Sequence, residues 1–421
     1  MFLRQFVGLS ALLFLAAPAC AQPVSLLQAL EDESPRSLER ALAEANLSPP
    51  EKRLAEGVLA SMLNRDAEAE NLLSRSAGDR KLSAELRRHA ADSLAGVRLR
   101  TGDFSGVAAM LDAADAIEPL DADQRRARNF VEPLAHAPRI VRGKLTPARI
   151  KLTRDMADLP RAEALINGAQ QEAVLDTGAA YSTIVESAAK RLGFRFFDGA
   201  VSVGAAAVED VPARVAIADA LSFGGIEFQN VIFIVLPDEM LSFADGQYTI
   251  EAIIGFPVLS RLERLTFEAD KEGEWLSFTP SRKQASGNLY LDGLSPVVLA
   301  DVDGLDSPLR LVLDTGAHVT NLSRAAVQNN PALATKAEER SARFGGAGGS
   351  VEEEDALIIP ELSLTIAGRP VTLQDVMVLS GGQASRRDGL LGQDVLRSGR
   401  GYVLDFRAMS LKLLPASPGR K

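Results

Sequence analysis

Cysteine is almost absent from this sequence: among 421 residues there is one, Cys20. The chain beyond it can form no internal disulfide, and it offers no cysteine nucleophile and no thiolate metal site. Histidine is scarce as well, with only His89, His136 and His318. No His, Cys or carboxylate grouping has the spacing of metal ligands, so no metal or other cofactor is expected. No glycine-rich phosphate loop opens a helix. Positive charge is in deficit, 46 Lys and Arg against 56 Asp and Glu, for a formal net charge of -10. That excludes a nucleic-acid backbone as the main partner, because phosphate binding needs a cationic surface.

What is present is a chain with 46% hydrophobic and 24% charged residues, long enough for two or three domains and too apolar to stay unfolded. It opens with Arg4, an apolar run from Phe6 to Ala17, and the small residues Ala17 to Ala21. This is the pattern of an export signal over residues 1–21, and the run is too short to span a bilayer as a mature helix. Cleavage after Ala21 would follow the Ala19-x-Ala21 pattern. Cleavage after Ala19 would instead leave Cys20 first, as in bacterial lipoproteins, and membrane anchoring is expected only in that case. An exported chain without disulfides fits a periplasm better than a disulfide-dense secreted module.

Residues 24–135 read as helical. Leu54, Val58, Leu59 and Leu63, and then Leu94, Val97 and Leu99, recur at helical spacing. Gly102-Asp103-Phe104 separates two such stretches. The pattern suggests stacked helical hairpins, loosely tetratricopeptide-like, and a surface that could take a protein partner. Past Ile140 short β-branched runs between glycine-rich turns take over. Residues 133–147 and 279–287 read as linkers, which frames two β units, 147–280 and 286–415.

These units repeat one another. Ala173-Val174-Leu175-Asp176-Thr177-Gly178-Ala179 in the first matches Leu311-Val312-Leu313-Asp314-Thr315-Gly316-Ala317 in the second. Ile253-Ile254-Gly255 matches Leu390-Leu391-Gly392. Gly255 follows Asp176 by 79 residues, and Gly392 follows Asp314 by 78. Between these motifs each unit carries a hairpin, Leu221 to Leu236 and Leu362 to Leu379. Each closes on a strand pair: Leu265–Phe267 with Trp275–Phe278, and Tyr402–Phe406 with Leu411–Leu414.

The arrangement resembles the pepsin and retropepsin families of aspartic proteases over residues 150 to 415. Asp-Thr-Gly-Ala and the short halves are more similar to the retropepsin type, with both copies on one chain and no pepsin-like tyrosine flap. The resemblance implies a mainly β, bilobal fold of two duplicated halves, preceded by the α-helical region. It also implies an aspartic endopeptidase acting on protein or peptide.

The chemistry suits these residues. Two carboxylates held together cannot both ionise cheaply, so Asp176 and Asp314 would share a proton and activate a water. Thr177 and Thr315 are expected to tie the two loops together by hydroxyl-to-backbone hydrogen bonds. Gly178 and Gly316 are expected to permit the tight turn that brings N–H groups to the carboxylates. Gly255 and Gly392 would let a strand pass close beneath each loop. Substrate-covering flaps are expected at Val203 and Gly204 in the first half and at Gly345 and Gly346 in the second. His318, two residues past Gly316, is expected at the core or rim rather than in catalysis. The principal rival is a peptide-binding or envelope scaffold protein of the same fold that does not cleave; a two-carboxylate glycosidase is more distant.

Overall fold

The computed structural model describes residues 25–416 apart from 116–118, 200, 204–210, 244–245, 282–286, 347–348 and 380–386. For 123 and 341–355 only the backbone is described. The signal segment with Cys20, and Gly204 of the expected first flap, lie outside the described residues.

Apolar residues at helical spacing build α1 (Leu26–Glu31), α2 (Pro35–Glu44), α3 (Pro49–Met62), α4 (Asp66–Ala77), α5 (Ala84–Thr101), α6 (Phe104–Asp115) and α7 (Ala122–Val131). Their starts carry local signals. Ser48 and Glu51 form a capping box ahead of Pro49, and Asp121 and Gln124 form another. Each satisfies backbone N–H groups that a helix start leaves unpaired. Chain neighbours pack as spatial neighbours from α1 to α7, burying Leu38, Leu54, Leu73, Ala90 and Val97. Each such leucine contributes about 1.5–3 kcal/mol by leaving water. No described helix is long and apolar enough to cross a membrane.

Each β half is wound the same way. In the first, the strand Ala169–Leu175 leads into Asp176. The strand Ala252–Ile254 then inserts beside it, parallel at Val174 and Leu175, and runs antiparallel to Ser182–Val185 on its other side. In the second half, Leu309–Leu313 leads into Asp314. Gly389–Leu391 lies parallel to it and antiparallel to Asn321–Ser323. A long hairpin flanks each: Val211–Phe223 with Ile226–Leu236, and Gly349–Ile366 with Arg369–Leu379. Alternating burial along these strands turns one face to the core.

The strand pairs that close the two halves do not stay separate. Arg264–Ala269 pairs with Gly401–Asp405, placing Leu265 opposite Leu404 and Phe267 opposite Tyr402. The last two rings stack at 4.6 Å. One sheet therefore bridges the halves, with Ala148–Arg154 continuing it beyond Glu274–Thr279.

The helices are joined to the β halves through shared cores. Phe104, Val107, Val131 and Leu134 sit in the same apolar cluster as the first half. Tyr290, Val297 and Leu299 of the second half are buried with α1 to α5. The stretch 133–147, read above as a linker, is tied down. Val141 and Arg142 pair with Gln229 and Phe228, and the Gly143 N–H donates to the Glu227 carbonyl at 2.7 Å.

Candidate active site

The two inserted strands fix where the aspartates stand. The Asp176 N–H donates to the Ile254 carbonyl at 3.0 Å, and the Asp314 N–H donates to the Leu391 carbonyl at 3.1 Å. The chain then leaves the sheet, and the two loops meet. The Thr177 hydroxyl donates to the Leu313 carbonyl at 2.7 Å and accepts from the Thr315 N–H at 3.1 Å. The Thr315 hydroxyl donates to the Leu175 carbonyl at 2.7 Å and accepts from the Thr177 N–H at 3.0 Å. Both threonines are buried. Four reciprocal hydrogen bonds thus lock the loops about a local twofold axis, where an unmade bond would leave a buried backbone group unpaired.

Each carboxylate accepts hydrogen bonds from its own loop. Asp176 Oδ1 accepts from the Gly178 N–H at 2.7 Å and the Ala179 N–H at 3.0 Å. Asp314 Oδ1 accepts from the Gly316 N–H at 2.8 Å. The reason for glycine differs from the expectation. Neither residue has a positive φ, so turn conformation does not demand it. A Cβ at Gly178 would lie 2.5 Å from Asp314 Cγ, and one at Gly316 would collide with the Asp176 carboxyl. Each glycine makes room for the other half's aspartate.

The two carboxyls come within hydrogen-bonding reach of one another. Each keeps part of its surface open to solvent while protein packs densely around the rest. Burial raises Asp176 above the ordinary carboxylate range, against the pull of its hydrogen bonds from Asp314, Gly178 and Ala179. Burial raises Asp314 well above that range, reinforced by the negative charge of Asp176. The upward shift belongs to the pair, which retains one proton where isolated carboxyls would have lost both.

Gly255 and Gly392 do lie in close approach. A Cβ on Gly255 would come within 2.8 Å of the Tyr181 and Ala179 backbone, and one on Gly392 would meet Val319 and Ala317 at 2.7 to 3.0 Å. The following residues seal the contact: the Phe256 N–H donates to the Ala179 carbonyl and the Gln393 N–H to the Ala317 carbonyl, both at 2.9 Å.

Of the expected flap residues, Val203 lies in the strand Val201–Val203, paired with Val211–Ala213. Gly345 and Gly346 pair with Ser350 and Gly349 near the end of a hairpin that starts at Glu338. His318 is exposed on the loop after Asp314, while His89 lies on α5 and His136 is exposed after the turn at Glu132–Leu134. Among the described residues no group of three or more His, Cys, Asp or Glu is gathered in a way that could hold a metal.

Several supporting residues went unread in the sequence. The Ser182 hydroxyl accepts from the Gly255 N–H at 3.1 Å, and the Thr320 hydroxyl accepts from the Gly392 N–H at 3.0 Å. Both lie six residues past their aspartate, so the repeat itself held that signal. Asp394 accepts from the Thr320 hydroxyl at 2.6 Å and the Thr320 N–H at 2.8 Å. The buried Gln393 side chain donates to the Thr315 carbonyl at 2.8 Å and accepts from Arg154 at 3.0 Å. The first half has Pro257 and Phe256 at these places, so no repeat signal marks them.

The aspartyl protease family model matches this chain twice. The matches cover residues 162–258 and 298–395, just under half of the chain. Each match takes in one aspartate loop and the glycine strand inserted beside it. The β region therefore holds two copies of an aspartyl protease family domain. No curated protein matched the chain.

Proposed function

We propose that this protein is a single-chain, retropepsin-like aspartic endopeptidase in which Asp176 and Asp314 act as one catalytic dyad. The observation that supports this best is the reciprocal threonine lock, which brings the two aspartate loops together so that their carboxyls bear on one another's ionisation. With one proton on the pair, the ionised carboxylate takes a proton from a water lying between the two. The protonated carboxyl donates to the carbonyl oxygen of the scissile peptide. Water oxygen bonds to the carbonyl carbon, giving a tetrahedral diol. Its collapse breaks the C–N bond, with a proton delivered to the leaving amine, and the dyad returns to its starting state. The hairpins at Val203 and at Gly345–Gly346 are assigned the flap role, offering backbone groups to an extended peptide.

Export by the segment 1–21 places the enzyme in a periplasm, or on a membrane through Cys20 if that residue becomes the lipidated N-terminus. The sequential packing of α1 to α7 is consistent with a tetratricopeptide-like stack able to take a protein partner. The test of the function is cleavage of a mixed peptide library from acidic to neutral pH by protein lacking residues 1–21, beside its Asp314→Asn variant. Cleavage by the parent alone supports the peptidase. Cleavage by neither, with both proteins folded and able to retain peptide, would favour a binding module.

A further inference from the structure

The local twofold axis relates Tyr181 to Val319, since each lies five residues past its aspartate and abuts the matching glycine, Gly255 or Gly392. Their surroundings differ sharply. Tyr181 is 8% exposed, whereas Val319 is 48% exposed with the exposed His318 beside it. The cover over Tyr181 comes from the helical region. The ring of Phe130 on α7 lies 5.1 Å from the Tyr181 ring, and Phe104 on α6 lies 6.4 Å away. The same helical segment also reaches the first flap. α7 packs against the strand Val201–Val203, and Pro133, just past α7, stands against Gly199 at the foot of that strand.

A peptide lying extended across a dyad puts its scissile bond on the axis. One side of the peptide then runs along the first half and the other along the second. The floor of the groove is the loop after each aspartate, and the roof is the flap. In the first half, α7 and the turn after it touch both floor and roof.

We propose that the helical region plugs the first-half end of the substrate groove, so that the enzyme grips its peptide on one side of the scissile bond only. This rests on the peptidase reading above. The side passing Tyr181 would have room for a short stub of chain. The side passing His318 and Val319 would engage several residues. The favoured substrate is thus a peptide or protein segment cut close to one end.

The experiment uses the full chain and two nested peptide series built about one cleaved bond, lengthened from two to five residues on one side or on the other. The expected result is that kcat/KM rises at least tenfold along one series and changes less than twofold along the other. Phe130→Ala should unplug the flat side, so that its extension now raises kcat/KM at least threefold. Equal gains on both sides in the unaltered protein would overturn the inference, as would a folded Phe130→Ala protein whose flat side stays flat. If that variant does not fold, the unaltered protein's two series decide alone. Absence of any cleavage, or cleavage untouched by Asp176→Asn, would overturn the peptidase reading and the inference with it, a result distinct from symmetric cleavage.

Discussion

The two halves agree in the strands and loops that bring Asp176 and Asp314 together and differ in the side chains that support those loops. In the first half the glycine strand continues into Phe256, which packs edge-on against Phe406 at 5.5 Å, and Tyr181 is roofed by aromatic rings from the helices. In the second half the same place holds Gln393, which links the Thr315 carbonyl to Arg154, itself paired with Glu274 at 2.8 Å. Asp394 braces Thr320, and Val319 lies open. One loop is propped by apolar packing and the other by a polar chain. Both arrive at the same four threonine bonds, so the constraint lies in the loop geometry, and the means of holding it are free to vary.

The sharpest way to break this equivalence is to remove one carboxyl at a time. Asp176→Asn and Asp314→Asn should each lower kcat by about a thousandfold or more, the scale of lost acid–base catalysis, with circular dichroism unchanged. A large difference between the two variants would mean that the halves are not partners in one dyad. Next in size are Gly178→Ala and Gly316→Ala. Each added methyl would push the opposite carboxyl aside, and a displacement of that order costs about a hundredfold in rate. Steady-state kinetics should show similar losses from both, because each glycine faces the other half's aspartate.

Stability separates the halves further. Thr177→Val and Thr315→Val each remove a hydroxyl that serves two buried backbone groups, at about 2–3 kcal/mol by denaturant unfolding. The two losses should match. Asp394→Ala should cost about 1–2 kcal/mol through the unpaired Thr320. Pro257→Ala, at the corresponding place in the first half, should cost less, since Ser182 has no such carboxylate behind it. Equal costs at 394 and 257 would contradict the division into polar and apolar support.

The meeting of Asp176 and Asp314 was legible because duplication left two motifs at nearly equal spacing, and the hairpins were legible from alternating apolar runs. The bridging sheet was not. Leu265–Phe267 and Tyr402–Phe406 read as ordinary closing strands, and nothing local says that Phe267 will lie against Tyr402 in the other half. The attachment of the helices was hidden for a similar reason: Phe104 and Phe130 fall within the stretch read as helical, and nothing local says that both will lie against Tyr181. The need for Gly178 and Gly316 was seen and its cause was not, because the carboxyl that excludes a side chain at each belongs to the other half, Asp314 for Gly178 and Asp176 for Gly316. Gln393 and Asp394 escaped because the repeat diverges there.

The shared proton is the most direct test of the central claim. Both aspartates are raised above the ordinary carboxylate range, chiefly by burial and, for Asp314, by its neighbour's charge. A raised carboxyl favours the fold below its unfolded pKa. That stability is lost as pH climbs through the folded value, so the pair should make the native protein less stable on going from acid toward neutral pH, and Asp314→Asn should flatten that slope. The decisive measurement is a carboxyl-carbon NMR titration of Asp176 and Asp314 in the native protein and in Asp314→Asn. A shared proton requires two coupled steps, the upper one above the range of a free aspartate, and a downward return of that upper step in the variant. Two independent titrations in the ordinary range, unchanged at Asp176 when Asp314 is replaced, would contradict it.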